Sequence, residues 1–132
     1  MKQPDKMTAY YYRAAQKVND LYLDNQMRKL LHHATESGDT AFALYVDNGY
    51  NGLSFDRPAV ALLQQHMKGG FIQRVVAAGL SRISRNTADI LSFAGFADEC
   101  GVSIETLDGD HKTLDMSKKL YAALAAKGGG RR

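Results

Sequence analysis

The chain has 132 residues, 45% hydrophobic and 23% charged, the composition of a single globular domain, which excludes collagen-like, coiled-coil and disordered chains. Its one cysteine, Cys100, excludes an internal disulfide and a four-cysteine zinc site. The net charge of +3 is too small to indicate a nucleic-acid partner by itself.

Residues 1–6 are polar and are expected to fray. No apolar run follows their lysines, so the N-terminus does not read as a signal peptide. No stretch approaches the length of a membrane span, and a cytoplasmic location is expected. Thr8 to Ala14 reads as a strand. Its consecutive Tyr10, Tyr11 and Tyr12 lack clean alternation, as in a central strand covered on both faces.

Residues 20–37 read as a helix, with Leu23, Met27, Leu30, Leu31 and Ala34 recurring at three- and four-residue steps. Asn19 or Asp20 would cap its start and Gly38 would end it. Ala41 to Val46 is a second strand. The polar run DNGYNGLSFDRP that follows is long for a connection, and long ordered loops tend to carry function.

Pro58 suits the first turn of a second helix. Ala59, Leu62, Leu63, His66 and Met67 are expected on its inner face, and Gly69-Gly70 stops it. A third strand lies within Phe71 to Gly79, and Leu80 to Asn86 is a loop or helix entry. Thr87 to Cys100 reads as a helix with Ile90, Leu91, Ala94 and Ala97 on one side. Val102 to Leu107 is a fourth strand and Asp108-Gly109-Asp110 a turn. Residues 115–126 can form a last short helix before a loose GGGRR tail. This alternation predicts a small α/β sandwich with a mostly parallel sheet.

In such folds ligands sit beyond the carboxyl ends of the strands. Three polar segments fall there: from Arg13 onward, Asp47 to Arg57, and Leu80 to Asn86. All three carry arginine. From Arg57 to Ala88 the chain has five basic residues, Arg57, Lys68, Arg74, Arg82 and Arg85, and no acidic one, which makes an anionic partner plausible. Arginine presents a rigid fork of donors suited to phosphate oxygens. The plainer alternative is a set of solvated strand-end charges.

The four histidines show no metal-ligand spacing, and no metal or cofactor is expected. Asp108 and Asp110 read as turn aspartates. There is no phosphate-loop motif and no dinucleotide glycine fingerprint.

The pattern YYRAA, an NQ in the first helix, YVDNGYNGLSFDRP and LSRISRN resembles the catalytic domain of the serine site-specific recombinases, the resolvase and invertase family. It is most similar to the large, transposon-type branch. The likeness covers about residues 8–108. It implies a resolvase-like three-layer sandwich with a mostly parallel sheet of four or five strands. Residues 1–132 would be one such domain, lacking the long dimerisation helix and the separate DNA-binding domain that follow in the family.

Matched residue by residue, the resemblance puts Arg13 at the first active-site arginine and Gln26 at the helix glutamine. Arg57 is the arginine of the Asp-Arg-Pro element, and Arg82 and Arg85 are the pair that embraces the scissile phosphate. Ser81 stands beside them, where the larger branch often has serine. Arg13, Arg57, Ser81, Arg82 and Arg85 are thus the expected phosphate contacts. The family nucleophile, a serine, falls at Ala15, which has no hydroxyl to attack phosphorus. The second acidic position of the loop is Asn48, the loop serine is Asn51, and the glycine between the paired arginines is Ser84.

The resulting expectation is a DNA strand-exchange domain without its nucleophile, acting in phosphate binding or in association with itself or a related recombinase. One alternative is an active recombinase with a displaced nucleophile or an engineered Ser-to-Ala change. The other is a structural or regulatory protein with no nucleic-acid role.

Overall fold

A computed structural model of the chain describes residues 6–38, 41–50 and 57–112. The polar N-terminus, Asn51, the expected helix over 115–126 and the GGGRR tail lie outside the described residues. The elements in chain order are β1 (Met7–Ala14), α1 (Asp20–Ser37), β2 (Phe42–Asn48), α2 (Pro58–Lys68), β3 (Ile72–Ala77), α3 (Leu80–Ile83), α4 (Thr87–Glu99) and β4 (Ser103–Thr106).

The helix ends follow from local chemistry. Asn19 accepts the Tyr22 backbone N–H at 2.8 Å at the start of α1. Gly38 closes that helix in the left-handed conformation that glycine adopts without steric penalty. Pro58 opens α2, and Asn86 caps α4 by accepting the N–H groups of Ala88 and Asp89.

The four strands pair in parallel in the order β2-β1-β3-β4. β1 is therefore interior, and its tyrosines are divided by the two-residue period of a strand. Tyr11 packs with Tyr45, Val60, Leu63, Met67, Val75, Ile83, Phe93 and Ala97, on the side of α2, α3 and α4. Tyr10 and Tyr12 pack with Met27, Leu30, Ala34 and Val76, on the side of α1. The result is the expected three-layer sandwich, with all described strands parallel.

Two helix faces differ from the reading of the sequence. In α2 Leu63 and Met67 are buried as expected, but Leu62 is 45% exposed and Val60 is buried in its place. In α4 the anchor is Phe93, buried with Ala94 and Ala97, while Ile90 and Leu91 are only half-buried. In both cases a rotation of the helical stripe by about one residue selects a set the spacing also permits.

Candidate functional site

The carboxyl ends of β1, β2 and β3 lie side by side. β1 and β2 are in register there, with Arg13 beside Asp47 and Ala14 beside Asn48. The chain leaves β2 through Gly49, whose φ of +91° favours glycine. The N–H groups of Gly49 and Tyr50 both donate to the Ala14 carbonyl, at 2.9 and 3.0 Å. The Asn48 amide completes the join. It accepts the Val18 N–H at 2.9 Å and donates to the Val18 carbonyl at 3.0 Å. A carboxylate could accept there but could not donate, which gives the asparagine at this position a structural reason.

Arg57 occupies the N-cap of α2 and makes no side-chain cap bond. The cap comes from β2. The buried Asp47 carboxylate accepts the Ala59 N–H at 2.8 Å and the Val60 N–H at 3.1 Å. It thereby satisfies two of the helix's orphan donors at its positive end. The Tyr11 hydroxyl donates to the same carboxylate at 2.7 Å. Arg57 in turn donates to the Tyr11 oxygen at 3.0 Å and to the Ile83 carbonyl. Its guanidinium carbon lies 5.8 Å from the Tyr11 ring centre. Asp47, Tyr11 and Arg57 form one buried chain of hydrogen bonds joining β2, β1, α2 and α3. Burial, and then the bond to Asp47, hold the Tyr11 hydroxyl protonated far above the ordinary phenol range.

Arg13 is also buried. Its terminal nitrogens donate to the Tyr50 carbonyl at 3.0 Å and to the Ser81 carbonyl at 2.6 Å. It ties the loop after β2 to α3. Burial lowers its pKa, and the charges of Arg57, Arg82 and Arg85 lower it further. That repulsion is the electrostatic sign of four guanidinium groups gathered in one place.

Arg82 reaches from α3 over the end of β1. It donates to the Arg13 carbonyl at a long 3.4 Å, and its guanidinium carbon lies over the Tyr12 ring, 5.5 Å from the centre. Arg85 is exposed. Ser84 caps the end of α3 in an extended conformation, φ −159° and ψ 156°, which any residue adopts, so glycine is not required. Its hydroxyl is buried and accepts the Asn86 N–H at 3.0 Å. Ser81 is exposed and meets Arg13 through its carbonyl.

The structure therefore brings Arg13, Arg57, Ser81, Arg82 and Arg85 together at the strand ends, with Ala15 exposed just past β1. Gln26 is half-buried on α1, and among the described residues no hydrogen bond joins it to the arginines. Two cations of the basic stretch go elsewhere. Lys68 ends α2 just before the entry to β3. Arg74 lies in the first half of β3 and pairs with Glu105 at 3.2 Å, which is also 3.1 Å from His33. His66 pairs with the Tyr45 hydroxyl, and His111 accepts the Thr106 N–H. Asp108 accepts the Asp110 N–H at 2.9 Å, the local bond of a turn aspartate. Among the described residues no group of three His, Cys, Asp or Glu could hold a metal ion, and no helix is long and apolar enough to cross a membrane.

Reading the sequence missed Tyr11, Tyr12 and Asp47 as parts of the site. The usable signal was parity: Tyr11 and Arg13 share a side of β1, and Asp47 is the residue before the end of β2, in register with Arg13.

A family model described as "Resolvase, N terminal domain" matches residues 8–127, beyond the reach of the quoted motifs. Among curated proteins none matches. Solved structures do. The N-terminal catalytic domain of TP901-1 integrase superposes with a TM-score of 0.72 at 20% identity, covering 92% of this chain and 93% of that one. The C-terminal catalytic domain of ISC1926 TnpA, an IS607-like serine recombinase, gives 0.71 at 20% identity, over 93% and 84% of the two chains. A resolvase family site-specific recombinase from Streptococcus pneumoniae gives 0.61 at 20% identity, over 93% and 95%. At such identities the likeness is one of fold.

Proposed function

The chain belongs to the resolvase N-terminal domain family, and from that membership we propose that it is a DNA phosphate-binding domain of serine-recombinase type without the family's serine nucleophile. The observation that carries this reading is the meeting of Arg13, Arg57 and Arg82 where β1 ends against α3, with Arg85 on the same segment and the exposed Ala15 just past β1. Guanidinium groups so placed balance the charge of a phosphodiester and, during transfer, of the phosphoryl group. The methyl group of Ala15 supplies no attacking oxygen. Ser84 is no substitute, since its hydroxyl is buried and engaged.

In this reading Arg82 and Arg85 meet the DNA backbone, while Arg13 and Arg57 hold the loops that present them. The domain binds phosphate or joins a recombinase partner without forming a phosphoserine linkage. Among the described residues Ser81 carries the exposed serine hydroxyl of the cluster and is the candidate for a displaced nucleophile.

The test is binding of a short labelled duplex by fluorescence anisotropy at two salt concentrations, with Arg82→Ala/Arg85→Ala alongside. The expected result is binding that weakens steeply with salt, with a slope about two lower in the double variant. Equal binding by both proteins would overturn the reading. A covalent protein–DNA adduct, abolished by Ser81→Ala, would replace it with the displaced-nucleophile alternative.

A further inference from the structure

Three of the clustered arginines are held in different ways. Arg13 and Arg57 are fixed by donating their terminal nitrogens to backbone carbonyls and to the Tyr11 hydroxyl. Such bonds consume the N–H edge with which a guanidinium grips an oxyanion. Arg82 is supported from below. Among the described residues its one hydrogen-bond acceptor is the Arg13 carbonyl at 3.4 Å, and its guanidinium carbon lies over the Tyr12 ring. Among the described residues it has no ion pair. An aromatic face attracts a guanidinium through the ring quadrupole and leaves the donor edge open.

The platform itself is rigid. Tyr12 is 3% exposed, in the interior strand of the sheet, and packs on the α1 side with Met27 and Ala14. Burial raises its pKa and the charge of Arg82 opposes that rise, so the phenol remains neutral near pH 7. A carboxylate at the same place would attract Arg82 more strongly, but would occupy its donors and offset its charge.

We propose that Tyr12 is a positioning residue for Arg82, holding its guanidinium by the ring face so that the N–H edge stays free for a DNA phosphate oxygen. This inference rests on the phosphate-binding reading above and adds the residue that aims one of its contacts.

Anisotropy with the same duplex tests it in the full chain, using Tyr12→Phe, Tyr12→Leu, Arg82→Ala and the double variant Tyr12→Leu/Arg82→Ala. Tyr12→Phe keeps the ring and is expected to bind within about twofold of the parent, whereas Tyr12→Leu binds about fivefold more weakly. Because both act through one guanidinium, the double variant is expected to bind no more weakly than Arg82→Ala alone. Losses that add, or parent-like binding by Tyr12→Leu when Arg82→Ala is weakened, would overturn the positioning role. Parent-like binding by Arg82→Ala would instead remove the phosphate contact, and the inference with it. If thermal melting shows Tyr12→Leu unfolded, Tyr12→Met, which also lacks the ring, takes its place in the cycle.

Discussion

Arg13 and Arg57 are 3% and 2% exposed and donate to acceptors of the protein itself, whereas Arg82 and Arg85, from one short segment, reach solvent. The inner pair joins elements. Arg13 links the end of β1 to the loop after β2 and to α3, and Arg57 links α2 to β1 and α3. The outer pair makes few protein contacts and keeps donors available. The comparison teaches that residues of one type, gathered by one motif set, divide between holding the site together and keeping their donors open to solvent. The division follows how many protein acceptors each one finds.

The largest effect expected from breaking this division is at Asp47. Asp47→Ala removes the α2 cap and leaves the Ala59 and Val60 N–H groups and the Tyr11 hydroxyl without their buried acceptor, a loss of about 3 kcal/mol measured by urea denaturation. A variant as stable as the parent would show that the inner pair does not depend on buried charge. Gly49→Ala is next, at about 1–2 kcal/mol, because a side chain at φ +91° is strained and its Cβ would stand 3.2 Å from the Lys17 Cβ. The same change disturbs the turn that offers the Tyr50 carbonyl to Arg13, so inner-pair geometry and stability are expected to fail together.

Tyr11→Phe removes the oxygen between Asp47 and Arg57 and is expected to lower stability by about 1–2 kcal/mol near neutral pH. It also changes the alkaline limb. The folded chain keeps the Tyr11 proton, while the unfolded chain releases it near the ordinary phenol value of 10.0. The raised folded pKa therefore gives stability that is complete below that value and lost progressively as pH climbs from it toward the higher folded value. Melting temperatures across this range should fall less steeply for Tyr11→Phe than for the parent. The smallest effect on folding is expected from Arg82→Ala/Arg85→Ala, within about 0.5 kcal/mol of the parent. A large loss of stability there would erase the distinction between the pairs.

Much of the fold could be read in advance because its signals are local. The Asn19 cap, the Gly38 stop and Pro58 at the head of α2 lie within a few residues of what they control. The interior place of β1 was legible in its unbroken tyrosines. The arginines were legible as a pattern, but their division was not. Whether an arginine is inner or outer depends on carbonyls 26 to 68 residues away, at Ile83, Tyr50 and Ser81. The Tyr11–Asp47 bond likewise spans 36 residues. Leu62 and Val60 were misassigned because a single turn of periodicity leaves the helix free to rotate by one position.

The ties at the end of β1 run through residues 13 and 14: the Arg13 guanidinium, the Arg13 carbonyl and the Ala14 carbonyl. The side chain of residue 15 is exposed beyond them. Heritable change at that codon is thereby uncoupled from the architecture. A side chain can be exchanged there in one step, with the surrounding cluster inherited intact.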